Sequence, residues 1–343
     1  MPLARCRWLA VAAAALLAGC AGPTVFLRRT AEPLLWPPRR EHARIEFVVA
    51  YGGADDVEVH PGFWASLTSF LADRPRAGLV TPTGLALQAP ATLWVADPGC
   101  SALHRIDLVT GAHTMFPGSE AEPLVTPVGV ALDGNGHVFV SDSSRARIVV
   151  FDTTGAVQRA FGDAQELGRP TGLAWDVGRA RLLAVDTTGN RVLALDVDGR
   201  RLGTVGERGT GLGQFNFPTN IAVDRAGSVF VVDSLNFRVQ VLDADLQPQR
   251  SFGGVGRGPG DFASPKGIAV DSEGHVYVVD AMFENVQIFA ADGQLLLPFG
   301  SHGSELGALQ LPTGICIDAT DRIVVGDGGN SRVQIFQYLR RAP

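Results

Sequence analysis

Helical stretches are scarce in this chain of 343 residues, and so are methionine, with 3, and cysteine, with 4. The first scarcity argues against a helical bundle or a doubly wound fold, both of which need long amphipathic helices. The second leaves little room for a disulfide framework. Basic charge is also short: the net charge is −6, so the chain is a poor partner for phosphate backbones, and no nucleic acid is expected. What is abundant is apolar residues at 46%, with 41 Gly and 21 Pro. That mixture suits a large core of many short strands joined by turns.

The amino terminus carries Arg5 and Arg7, then an apolar run ending at Cys20, a secretory signal too short for a membrane span. Leu17, Ala18, Gly19 and Cys20 resemble the lipobox of bacterial lipoproteins. The resemblance implies removal of residues 1–19 and acylation of Cys20, with the lipid bilayer as a partner. Two or three acyl chains would anchor a soluble body stably. Ala21 in place of an aspartate resembles the sorting pattern for the outer membrane of a Gram-negative envelope, facing the periplasm. Residues 20–43 contain Pro23, Pro33, Pro37 and Pro38 and are expected as an extended tether. Within 55–80, Phe63, Leu67 and Phe70 fall at helical spacing, which predicts a short helical insertion.

From residue 44 onward one phrase recurs. Pro82, Pro127, Pro170, Pro218, Pro265 and Pro312 each open an apolar stretch: PTGLAL, PVGVAL, PTGLAW, PTNIAV, PKGIAV and PTGICI. A turn follows, as at Asp133–Gly136 or Asp271–Gly274, then strands such as VFVVD and RVQVLD. A fourth strand ends in Phe-Gly, as at Phe161, Phe252 and Phe299. Four antiparallel strands at a period in the forties make one blade of an all-β propeller, and six units make six blades. The sixth unit stops after its third strand, at 332–337. The missing strand is available at 44–51, so the last blade is predicted to be closed by the N-terminal strand, which removes an exposed edge. The wording is similar to NHL repeats, with departures at Asn220, where the blade-opening glycine belongs, and at Gln88, in place of a turn aspartate. The resemblance implies the fold; NHL propellers serve as lyases, sensors and scaffolds alike.

Asp142 and Arg147, Asp186 and Arg191, Asp233 and Arg238, and Asp327 and Arg332 recur five residues apart. Because they repeat around the circle they are expected to be structural, each aspartate binding backbone amides and facing its arginine. The glycine-rich stretches 203–215 and 253–262 lack the lysine-hydroxyl ending of a phosphate loop and precede strands, so they are crossings between blades.

Propeller ligands bind at the axial mouth, made by loops before the first strand and after the second. Those loops offer Arg169, Thr171, Thr219, Asn220, Phe237, Lys266, Phe283 and Thr313 as candidate ligand-binding residues. This is a hydroxyl-lined mouth with some positive charge and aromatic surface, suited to a peptide, a glycan or a small anion. The histidines are scattered: His104 is placed on a third strand, and His113 in a turn on the far side. No zinc set is therefore expected at the axis, and no catalytic residue, cofactor or metal is assigned. Cys100 and Cys316 are expected as free thiols. Two functions stay open for a monomeric envelope lipoprotein. The preferred one is a non-catalytic binding or scaffold propeller; the other is a metal-assisted lyase or lactonase-type hydrolase at the mouth.

Overall fold

The computed structural model describes residues 29–53 and 78–340, which hold twenty-five strands, numbered here β1 to β25 in chain order. The signal segment, Cys20 and most of the expected helical insertion at 55–80 lie outside the described residues. The strands form six antiparallel sheets, one per repeat. In blade four these are β15 (Pro218–Val223), β16 (Val229–Asp233), β17 (Arg238–Leu242) and β18 (Pro248–Phe252). Every residue of β16 is buried, because blades pack on both of its faces and no alternation is needed. In β18, at the rim, half-buried and exposed positions alternate up to the buried Phe252.

The inner strands ring the axis: β3 (Gly84–Gln88), β7 (Pro127–Leu132), β11 (Pro170–Asp176), β15, β19 (Pro265–Val270) and β23 (Pro312–Ile317). Each touches the next, and β23 returns to β3. The recurring glycine has a steric reason. A Cβ on Gly314 would lie 1.7 Å from the Thr83 carbonyl oxygen, and one on Gly129 would lie 2.2 Å from that of Thr171. Inner strands meet backbone to backbone there, and only glycine permits it.

Between blades lie apolar clusters, such as Phe230, Val232, Val239 and Phe252 of blade four against Val276, Val278 and Phe289 of blade five. Burying each such side chain contributes about 1.5–3 kcal/mol. Arginines add a second tie: Arg105 donates to the Thr153 carbonyl at 2.9 Å, Arg181 to Ala244 at 2.6 Å and Arg322 to Pro90 at 2.8 Å, each in the adjoining blade.

The ring closes as the two chain ends predict. Strand β2 (Ile45–Tyr51) lies antiparallel to β25 (Arg332–Tyr338), with Ile45 opposite Tyr338 and Tyr51 opposite Val333. The closing blade differs in one respect. Leu35–Trp36 forms β1, a fifth strand outside β2, and Trp36 packs edge-on to Phe336 with ring centroids 5.8 Å apart. The expected tether at 20–43 therefore ends sooner, because Leu34 and Trp36 find an apolar cluster to cover.

Candidate functional site

The repeated aspartates hold the mouth together. In blade four, Asp233 accepts the Asn216 amide at 2.6 Å, Arg238 Nε at 2.8 Å, Asn236 Nδ2 at 2.8 Å and Gln240 Nε2 at 3.1 Å. Arg238 then donates to the carbonyls of Gly211 at 2.8 Å and Gln214 at 3.0 Å, fixing the crossing loop. Blade six repeats the arrangement with Asp327, Asn330, Arg332 and Gln334. The pairs Asp142–Arg147 at 3.3 Å and Asp186–Arg191 at 2.9 Å do the same in blades two and three. These are structural clips: the guanidinium neutralises a buried carboxylate and reaches on to backbone oxygens.

The hydroxyls expected at the mouth are bonded to one another and to backbone carbonyls. Thr171 Oγ1 bonds Thr187 Oγ1 at 2.7 Å, and Thr187 donates on to the Pro218 carbonyl at 2.8 Å. Thr219 bonds Ser234 at 2.7 Å, and Ser234 donates to Pro265 at 3.0 Å. Thr313 donates to the Pro82 carbonyl at 2.5 Å, across the junction of blades six and one. Each clips one blade to the next, the cheapest way to satisfy an inner-strand carbonyl with no strand beside it. Phe237 packs into the cluster between blades four and five, and Phe283 is half-buried.

Arg169 and Lys266 do stand exposed at the mouth, and Lys266 is the sole lysine of the chain. Arg169 lies over the Phe217 ring, 5.9 Å from its centroid. Around them four large apolar side chains are exposed on the same face in blades four to six: Phe217 at 37%, Leu235 at 53%, Met282 at 66% and Leu311 at 53%. Below the mouth runs a channel of about 250 Å³, walled by Leu85, Val130, Leu173, Ile221, Ile268 and Ile315. Asn220 adds an amide to this wall, with Oδ1 accepting the Ile221 N–H at 2.9 Å. Cys316 lines it too, and burial pushes its thiol well above the ordinary range.

One constellation was missed by the sequence reading. The hairpin β5 (Ala102–Asp107) to β6 (His113–Phe116) pairs Ile106 with His113 and His104 with Met115. His104 and His113 are therefore diagonal neighbours on one sheet face. His104 Nδ1 lies 2.7 Å from His113 Nε2, and His113 Nδ1 lies 2.8 Å from the Tyr51 hydroxyl. On the other side, His104 Nε2 is 3.1 Å from Cys100 Sγ and 3.9 Å from Asp97 Oδ2. Asp97 and His104 are both 0% exposed, and Cys100 is half-buried. The histidines are thus not all scattered: this pair sits at the rim, in blade one, away from the residues that line the axial channel. Burial holds the His104 imidazole below its ordinary value, partly offset by Asp97. Burial and then the Asp97 carboxylate push the Cys100 thiol up to about 11. Cys100 and Cys316 are both free, as expected.

Comparison with known proteins agrees with this architecture. The NHL repeat model matches residues 124–151, 262–290 and 309–336, in blades two, five and six. A probable peptidyl-alpha-hydroxyglycine alpha-amidating lyase of Caenorhabditis elegans is 32% identical over 97 residues, which is 26% of this chain. The chain spans only 28% of that relative's length. Among solved structures, virginiamycin B lyase from Staphylococcus aureus superposes with a TM-score of 0.56 at 13% identity, covering 76% of this chain and 96% of the lyase. An auxiliary nutrient binding protein from Bacteroides thetaiotaomicron gives 0.59 at 12% identity, over 77% and 70% of the two chains. A chain of a nidogen/laminin complex gives 0.56 at 19% identity, over 86% and 98%. These three share the fold and differ in what they do. The chain thus carries NHL repeats, three of them matched by the repeat model, and folds as a six-bladed β-propeller.

Proposed function

We propose that this propeller is a non-catalytic binding module of the bacterial envelope. It is held to a membrane by acylated Cys20 and takes a peptide or protein segment with acidic and apolar groups at its mouth. The supporting observation is the exposed rim of Phe217, Leu235, Met282 and Leu311 beside the cations Arg169 and Lys266. Exposed apolar side chains gathered on one face mark interaction surfaces, and the flanking cations select an acidic partner. A glycan would instead want free hydroxyl and amide groups, and the mouth's threonines are already bonded.

The test is capture from envelope extract with an amine-reactive crosslinker, since Lys266 supplies the only lysine amine. Wild type should yield a crosslinked partner. Arg169→Glu with Lys266→Ser should lower recovery in an uncrosslinked pull-down by about tenfold or more. Equal recovery by both proteins would move the site away from the mouth. Cys20→Ser should release the protein from membranes, and continued membrane fractionation would refute the anchor.

The second reading, a lyase or hydrolase at the axis, is favoured by the 32% identity over 97 residues to the probable amidating lyase. It would need converging ionisable groups, whereas most residues lining the described channel have aliphatic side chains.

A further inference from the structure

Blade one breaks the clip pattern in a concerted way. Blades four and six place Asn, Arg and Gln three, five and seven residues after the aspartate, at 236, 238 and 240 and at 330, 332 and 334. In blade one the same offsets hold Cys100, Ala102 and His104. Asp97 thus loses its guanidinium and both amide donors. It keeps three backbone amides, from Val80 at 2.7 Å, Thr81 at 2.9 Å and Gly99 at 2.9 Å. Blade five also lacks the arginine, but its Asp280 is met by four amides, from Ala263, Ser264, Met282 and Phe283, with Gln287 retained at the last offset. Only in blade one do a thiol and an imidazole replace the donors. A fully buried carboxylate without its cation is unfavourable. The replacements at 100 and 104 are both metal ligands, while Ala102 supplies no cation in place of the arginine.

We propose that Asp97, Cys100 and His104 form a site for a divalent cation of the zinc class, backed by His113 and Tyr51. The three donor atoms lie within 4.8 Å of one another. Ligands at tetrahedral zinc bond lengths stand roughly 3.3–3.7 Å apart. The separations of 3.1 Å from Cys100 Sγ to His104 Nε2 and 3.9 Å from His104 Nε2 to Asp97 Oδ2 bracket that span. A sulfur, a nitrogen and an oxygen donor together select zinc over calcium or magnesium, which prefer oxygen alone.

The outer partners fit as well. With Nε2 on the metal, His104 donates Nδ1–H to His113 Nε2, and His113 donates its own Nδ1–H to the Tyr51 hydroxyl. A metal-ligating histidine ordinarily has such a partner, which fixes its tautomer and orientation. Tyr51 belongs to β2 of blade six, so the chain of bonds runs across the junction where the ring is closed. On binding, the Cys100 S–H bond is replaced by a sulfur–metal bond and the proton leaves to solvent. Half-buried Cys100 gives the cation a route in and leaves a fourth position for water. The cation then does in blade one what arginine does in four other blades.

The test uses the full chain in detergent, stripped with a chelator and reloaded with zinc. Wild type should retain about one zinc per chain. Cys100→Asn, Ala102→Arg and His104→Gln together rebuild the clip of blades four and six. That variant should keep the β-sheet circular dichroism of wild type and lose the zinc. Cobalt-loaded wild type should show a thiolate-to-cobalt absorption that Cys100→Ser abolishes, a readout that stands even if the triple variant fails to fold. Wild type retaining no zinc, a folded triple variant retaining as much as wild type, or a cobalt band surviving in Cys100→Ser would each overturn the proposal.

Discussion

Blades one and four place the same aspartate at the same point of the same hairpin and surround it differently. Asp233 is met by an amide, a guanidinium and a second amide from its own blade, and the crossing loop is secured through them. Asp97 meets a thiol and an imidazole, and the imidazole leads on to His113 and Tyr51. Repetition makes the first arrangement architecture, since a role performed in four blades is a role in building blades. Departure from repetition makes the second a candidate for chemistry, because nothing in the fold plan requires a sulfur there.

The strongest way to break this contrast is to remove β2. Deleting residues 44–51 takes Ile45, Phe47, Val49 and Tyr51 from buried positions and removes the outer support of His113. Each lost apolar side chain forfeits about 1.5–3 kcal/mol, so cooperative unfolding should vanish or the melting temperature should collapse in calorimetry. A truncated chain that melts like the whole one would show that closure is unimportant.

Next in size is Arg238→Ala, which leaves the Asp233 carboxylate buried without its cation. Taking one partner from such a pair costs about 3 kcal/mol, measurable as a shift in urea midpoint at unchanged slope. The effect should appear in blade four and not at Ala102, where blade one already lives without the arginine. A neutral Arg238→Ala would mean that the clip is ornamental and that blade one's departure carries no meaning.

The smallest effect comes from a second Asp–His pair. His275 Nδ1 lies 2.9 Å from Asp271, and that bond holds the imidazole above its ordinary value against the opposing pull of burial. His104, more deeply buried, shifts the other way. A raised value means the folded chain favours protonated His275. Its stabilisation is complete below the unfolded value of 6.5 and is lost as pH rises through the folded one. His275→Gln should therefore narrow the stability difference from wild type between about pH 5.5 and about pH 8.5 in paired urea titrations. A difference that grows with pH would reverse the assignment.

Much of this was legible beforehand, and the reason is repetition. Six copies of one phrase expose the blade count, and the absent fourth strand of the last copy points to residues 44–51. The structural reading of the Asp–Arg pairs followed from the same periodicity. The threonines at the mouth were legible as positions but not as partners: which way an Oγ turns depends on a neighbouring blade's carbonyl, some thirty residues away or, for Thr313, at the far end of the chain. The pairing of His104 with His113 depends on the register of a hairpin, which sets the sheet face of every side chain. A signal for that site did exist. Setting blade one beneath blades four and six puts Cys100, Ala102 and His104 under Asn, Arg and Gln.

The amino-acid sequence by itself determined the number of blades, their strand order and the closing of the ring, because these follow from local hydrophobic pattern and from how many copies there are. Only the tertiary structure decided which polar groups remain available. Among the described residues, an inner-strand carbonyl in five of the six blades accepts from a hydroxyl of the blade before it, and such bonds across the ring cannot be counted from one repeat at a time.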